Sequence, residues 1–388
     1  MVNKYAVLAG SMFLYILFML FNTLGFYPNL LSNFFLLLFI VLPFLYIREK
    51  GRRDVFYVLF LLPTAIFLFF VANFLYGYLA GNDVFEAIGN IKFYLFLVLF
   101  YPFFVLLKEF ELDKVLYVAS QLLFYKFLVL SIILVGLYLC FEIVDDFFSG
   151  SSIIINDFYN LHRLFDKTYV FFPFVFIYCS GKSLIIRYMV FSLVLILMFF
   201  SATVSLWAYY FVFVSIYFFS IKRFLFWSLV GVSVMLIQGK IIISILTGFY
   251  EYKLHSVSVK AEQYNWFIEH FSDMFWGYGF GYSFEISYLK GFLIENFYIY
   301  LISIYGIVGT LLFLVFAVLI PIVMYRGQKM KYKKLLYLTH CSLLFNSISN
   351  PYMLSVPAFL PLVVIYVNYL KNIYRSHLFL NNSKIRGV

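Results

Sequence analysis

Apolar residues fill this chain in long runs, broken at intervals by short polar and charged clusters. The runs are apolar all round. They lack the period-two alternation of a barrel strand and the single stripe of a soluble helix. Runs of roughly 20 residues match the thickness of a bilayer. The pattern predicts spans at 5–24, 30–47, 55–76, 91–107, 116–141, 169–180, 188–203, 205–221, 224–247, 294–320, 335–349 and 353–370. The sixth is short and carries Pro173. The expected fold is all-α: a polytopic integral membrane protein of about 12 transmembrane helices, one transmembrane domain over 1–388. The first run follows Lys4 like a signal sequence, but no small-x-small site succeeds it, so it is expected to be a retained helix.

Two polar stretches stand apart, 142–168 and 248–292. The remaining loops are short, and the basic ones fall on one side. With the N-terminus inside, the clusters Arg48–Arg53 and Arg326–Lys334, the C-terminal tail and smaller loops put 20 of 28 Lys and Arg residues in the cytoplasm. That bias follows the positive-inside rule and brings both termini inside. The two polar stretches then lie outside, which in a bacterial inner membrane is the periplasmic face.

Composition agrees. At 65% hydrophobic, 12% charged and mean hydropathy +0.97, the chain has more apolar surface than a soluble fold can bury, so the lipid bilayer is its expected solvent. The net charge of +10 is explained by the inner loops, and no nucleic acid is implied. Cys140, Cys179 and Cys341 have neither metal-ligand spacing nor the even count of a disulfide framework, and are expected to be inert.

Candidate chemistry gathers in the two outer segments. They hold His162, His255 and His270 and most of the acids, among them Asp166, Glu262, Glu269, Asp273 and Glu285, with Glu295 at the edge of the second. Solvation explains most of these residues. It explains less well the cations kept outside against the charge bias: Arg163, Lys167, Lys253, Lys260 and Lys290. A polyanionic substrate would account for one or two of them. From Lys260 to Phe275 the apolar positions 264, 267, 268, 271, 274 and 275 have helical spacing, which predicts an interfacial helix along the membrane surface. Gly277 to Tyr282 (GYGFGY) follows no nucleotide-binding strand and is expected to be a tight turn.

The order Lys260, Glu262, Trp266, then Trp276-Gly-Tyr-Gly-Phe-Gly, Glu295-Asn296-Phe-Tyr298 and Tyr305-Gly306-Ile-Val-Gly309 resembles the O-antigen polymerase and ligase superfamily. His162 to Phe174 (HRLFDKTYVFFPF) is similar to that family's earlier outer segment. Where ligases commonly carry a histidine before the Asn, this chain has Glu295, and Lys260 stands where an arginine is common. Those departures favour polymerase over ligase.

The histidines lack His-x-x-x-His spacing and no Asp-x-Asp motif falls in the outer segments, so neither a metal nor a cofactor is expected. The resemblance implies a glycosyltransferase that transfers between undecaprenyl-diphosphate-linked oligosaccharides, with a chain-length regulator protein as a further partner. Under it, Glu295 is the expected base for the acceptor hydroxyl, since a carboxylate partly desolvated at the lipid–water boundary is a stronger base. Arg163 and Lys260 are expected to neutralise the departing diphosphate. Asn296, Tyr298, His162, Lys167, Glu262 and His270 are candidate substrate-binding residues. Helix-dipole pairing is the structural alternative for Glu295, and interfacial anchoring for Arg163. A ligase to lipid A-core, or a flippase of the lipid-linked unit, are the competing functions. A transporter should bury charge inside its spans, where only Lys126, Lys240 and Lys92 are candidates.

Overall fold

The computed structural model describes residues 4–22, 29–46, 53–91, 99–140, 144, 154–158, 161–201, 203–218, 257–286, 289–291, 294–348 and 356–386. Among them the chain is mostly helical. The first half contains α1 (Lys4–Asn22), α2 (Asn29–Tyr46), α3 (Arg53–Leu79), α4 (Val84–Ile91), α5 (Phe100–Glu109) and α6 (Leu112–Leu139). Helices α1 and α2 pair closely, and both pack on α5. The expected ninth span and residues 92–98 of the fourth lie outside the described residues.

The first polar segment is more than a loop. Strands β1 (Ile154–Phe158) and β2 (Leu161–Phe165) form an antiparallel hairpin in which Asn156 faces Arg163 and Asp157 faces His162. The hairpin satisfies its own backbone, which lets β2 pack against α6 and against α8 (Leu184–Phe200), with Leu164 fully buried.

A 3-10 turn (Lys167–Phe171) and α7 (Phe172–Cys179) follow β2 and run back along α6. Ser120 of α6 ties the two together: its hydroxyl donates to the Phe174 carbonyl at 2.8 Å and accepts the Tyr178 N–H at 2.8 Å. Deeper in the same interface lies a buried ion pair. Lys126 Nζ stands 2.8 Å from Asp166 Oδ2 and 2.9 Å from Oδ1, and both side chains are wholly buried. Asp166 also accepts the Thr168 N–H at 2.7 Å and so caps the 3-10 turn. This corrects the expectation that Asp166 belongs to a water-facing segment. An ammonium in the middle of an apolar helix needs a counter-charge, and the hairpin carries that charge to it.

Helix α9 spans Val204–Phe218; in the second polar segment residues 257–270 form α10, followed by β3 (Phe284–Ile286) and β4 (Leu289–Gly291). Then come α11 (Phe297–Leu314), a π-helical turn (Val315–Leu319), α12 (Ile320–Gly327), α13 (Lys333–Asn346) and α14 (Val356–Arg386). The wide π turn frees carbonyls that neighbours then satisfy. His340 Nε2 donates to Ala317 O at 2.7 Å, and the Tyr366 hydroxyl donates to Phe316 O at 2.8 Å. Among the described residues two stretches are long and apolar enough to cross a membrane, Leu112–Leu139 and Phe297–Gly327; others, such as Leu184–Phe200, are apolar but shorter.

Helix α13 is the common support. It packs against α7, the 3-10 turn, α9 and α14, and its Leu338 carbonyl accepts the Tyr209 hydroxyl at 2.6 Å. Its far end meets the start of α11, where Phe297 N donates to Ser347 O at 3.1 Å. The end of the first polar segment and the helix that follows the second are therefore braced on one helix.

The buried pair gives a stability test. Lys126→Met leaves a buried carboxylate without its cation and should destabilise by about 3–5 kcal/mol, whereas Lys126→Met/Asp166→Asn should recover a good part of that loss. Thermal unfolding of the purified variants in detergent measures both.

Candidate active site at the junction of α10 and α11

The site is built on a broken helix. Gly306 interrupts α11 with φ 70° and ψ −178°, a left-handed conformation that only glycine adopts without strain. The break leaves the carbonyls of Ser303 and Ile304 without helical donors. The glycine-rich turn supplies them: Tyr278 N donates to Ser303 O at 2.7 Å and Gly279 N to Ile304 O at 3.0 Å. Below the break, Ile307 N donates to Phe275 O at 3.1 Å. The turn is thus held in the notch of the helix and does not lie free at a surface.

From the other side α3 and the turn that follows it close the joint. Asn73 Nδ2 donates to Ile304 O at 3.0 Å, and Asn82 Nδ2 to Tyr278 O at 2.8 Å and Phe280 O at 3.0 Å. The approach is close enough that a Cβ on Gly279 would stand 2.6 Å from Gly77 Cα. Phe280 is fully buried and meets the Tyr305 ring edge-on at 5.1 Å.

This joint fixes α10 over the N-terminus of α11. The helix was expected to present one apolar face; it presents two. Gln263 and Trp266, with Met274 beyond the helix, are buried against the turn and α11, while Val257, Tyr264 and Ile268, with Phe271 and Phe275 beyond the helix, are exposed. The difference has a packing cause: the inserted turn needs an inner cover, and Trp266 provides it by meeting Phe284 at 5.1 Å and stacking on His270 at 4.7 Å.

Lys260, Gln263 and Tyr264, at i, i+3 and i+4, share one face of α10, and each touches the start of α11. Lys260 Nζ is 3.6 Å from Glu295 Oε2. Gln263 Oε1 accepts the Glu295 N–H at 3.2 Å. The Tyr264 hydroxyl accepts from Asn296 Nδ2 at 2.8 Å. Lys260 and Glu295 remain 31% and 43% exposed, so their ion pair contributes little to stability and is cheap to open.

Comparison with protein-family models, curated proteins and solved structures finds no match.

Of the expected site residues, the fold brings Lys260 and Glu295 into contact and sets Asn296 beside them. Asn296 caps α11, its Oδ1 accepting from Tyr298 N at 2.9 Å and Ile299 N at 3.2 Å. Tyr298 turns inward and donates its hydroxyl to Leu344 O at 2.8 Å. His270 lies at the far end of α10, its Nδ1 2.8 Å from Trp266 O. Glu262 is half-buried on the same helix, and Lys167 is exposed at the start of the 3-10 turn. His162 and Arg163 are in β2, and their side chains lie outside the described residues. Among the described residues no group of three His, Cys, Asp or Glu could hold a metal ion.

Gln263, Tyr264 and an aromatic wall are what sequence reading did not pick out. Tyr278 stacks on Tyr282 at 4.3 Å, and Tyr282 meets Phe284 at 5.2 Å. Burial pushes both tyrosine hydroxyls above their ordinary pKa, so they stay neutral. The helical spacing from Lys260 was the available signal for Gln263 and Tyr264; nothing local marked the wall.

Gly279→Ala tests the joint. A left-handed alanine costs about 1–2 kcal/mol, and the overlap with Gly77 should add roughly 1–3 kcal/mol. The variant should unfold at clearly lower temperature. Gly10→Ala, with nothing within 4 Å of its added Cβ, should be neutral or slightly stabilising in the same measurement.

Proposed function

We propose that this chain is a glycosyltransferase of the membrane interface, an O-antigen-type polymerase that joins undecaprenyl-diphosphate-linked oligosaccharide units at the periplasmic face. The carrying observation is the exposed Lys260–Glu295 pair at the junction of α10 and α11, a cation and a carboxylate held 3.6 Å apart. In the reading, the chain crosses the inner membrane twelve times with both termini in the cytoplasm. Support comes from the inward bias of Lys and Arg and from large apolar side chains left exposed along α6, α8 and α12, such as Ile132, Ile185 and Val323.

The chemistry follows from the parts. The acceptor hydroxyl oxygen attacks the anomeric carbon of the donor sugar and forms the new glycosidic bond. The bond from that carbon to the diphosphate oxygen breaks, and undecaprenyl diphosphate leaves with the electron pair. Glu295 takes the hydroxyl proton. Lys260, released from its weak pair, faces the charge that develops on the leaving group, and Arg163 is the second cation in this scheme. Asn296, as the cap of α11, keeps Glu295 in place.

A second reading has one observation in its favour. The buried Lys126–Asp166 pair is the kind of intramembrane charge that a flippase of the lipid-linked unit would keep. Loss of a polymerase leaves single units on the lipid core, loss of a ligase leaves none there, and loss of a flippase traps units inside the cell.

Reconstitution with a defined lipid-linked repeat unit tests the proposal directly. Glu295→Gln should slow chain extension by about 10²–10⁴-fold. Lys260→Ala and Arg163→Ala should also lower the rate, each leaving the fold intact by thermal unfolding. Normal ladders from all three variants would refute the site.

A further inference from the structure

Gln263 sits at the centre of the junction and is only 1% exposed. Its orientation is fixed, because the Glu295 N–H can be accepted only by the amide oxygen. The other end of the amide, Nε2, is buried and has no hydrogen-bond partner among the described residues. A buried orphan donor needs an explanation, since its desolvation goes unrecovered. Its flanking neighbours on the helix, Lys260 and Tyr264, both engage the Glu295–Asn296 step.

We infer that Gln263 Nε2 is a substrate-binding donor, completing with Glu295 a subsite for a sugar hydroxyl. This deepens the proposed function and rests on Glu295 being the base. The pairing of groups selects the ligand class. A hydroxyl both donates and accepts, so one oxygen can give its proton toward the Glu295 carboxylate while its lone pair receives the Gln263 amide. A phosphate oxygen has no proton to give, and the carboxylate would repel it. The subsite therefore takes the neutral acceptor end of the glycan, leaving the diphosphate to the cations. Trp266, three residues along α10 from Gln263, meets Tyr278, and the half-exposed, stacked Tyr278 and Tyr282 rings offer a flat surface for a sugar ring.

The probes are methyl glycosides of glucose, galactose, mannose and N-acetylglucosamine, followed by saturation-transfer NMR on the full chain in detergent, with inorganic pyrophosphate as competitor. At least one glycoside should bind the unaltered protein and resist displacement by pyrophosphate. Gln263→Glu, which keeps an acceptor for the Glu295 N–H, and Gln263→Met, which keeps the volume, should each weaken that binding about tenfold. Gln263→Glu places a carboxyl in a buried site and Gln263→Met removes the acceptor, so both can lower the melting temperature; binding is therefore compared at a temperature where thermal unfolding shows each variant folded, and a fold defect does not decide the outcome. Unchanged glycoside binding in both variants, with loss in Glu295→Gln, overturns the role of Gln263 and leaves the function standing. Displacement by pyrophosphate overturns the hydroxyl assignment. Failure of every glycoside to bind the unaltered protein overturns the reading of Glu295 itself.

Discussion

The whole junction depends on a helix that stops at Gly306 and starts again one residue later. Two carbonyls exposed by that stop must find donors, and the turn at 277–282 brings them as backbone N–H groups. Backbone-to-backbone bonds of this kind tolerate little drift. They set where α10 lies over α11, and with it the separation of Lys260 from Glu295. The side chains of the pair are free to move; the frame that presents them is not.

Two ion pairs in the same molecule illustrate opposite uses of charge. Lys126 and Asp166 are sealed from water, bonded through both carboxylate oxygens and joined to a capped turn. Their geometry fixes how far the β1–β2 hairpin enters between α6 and α8. Lys260 and Glu295 are longer apart and open to solvent. The first pair is costly to separate and organises the fold. The second is easily parted, as a pair must be if its members are to meet a ligand.

Much of the helical framework is legible in the chain as apolar runs, because a helix that is apolar all round needs no partner to be recognised. Helices α1, α3, α6, α8, α11 and α13 begin or end within a few residues of the expected spans. What escapes that reading is pairing at a distance. The β1–β2 hairpin is too short to announce itself, and the link from Lys126 to Asp166 crosses 40 positions. Gly306 is invisible as a break, since one glycine leaves the hydropathy of its run unchanged. In the candidate site, Lys260 and Glu295 are legible because charge is rare here. Gln263 is not, because its weight comes from burial and an unpaired donor, which only the fold creates.

The interval between Lys126 and Asp166 also has a history in time. A ribosome adds about 5–20 residues each second, so the ammonium of α6 is made roughly two to eight seconds before its counter-ion. During that wait the young helix carries an unmatched charge on an otherwise apolar surface. Only when the residue that follows β2 has been made can the charge be matched, so the buried seat of Lys126 cannot be complete before Asp166 exists.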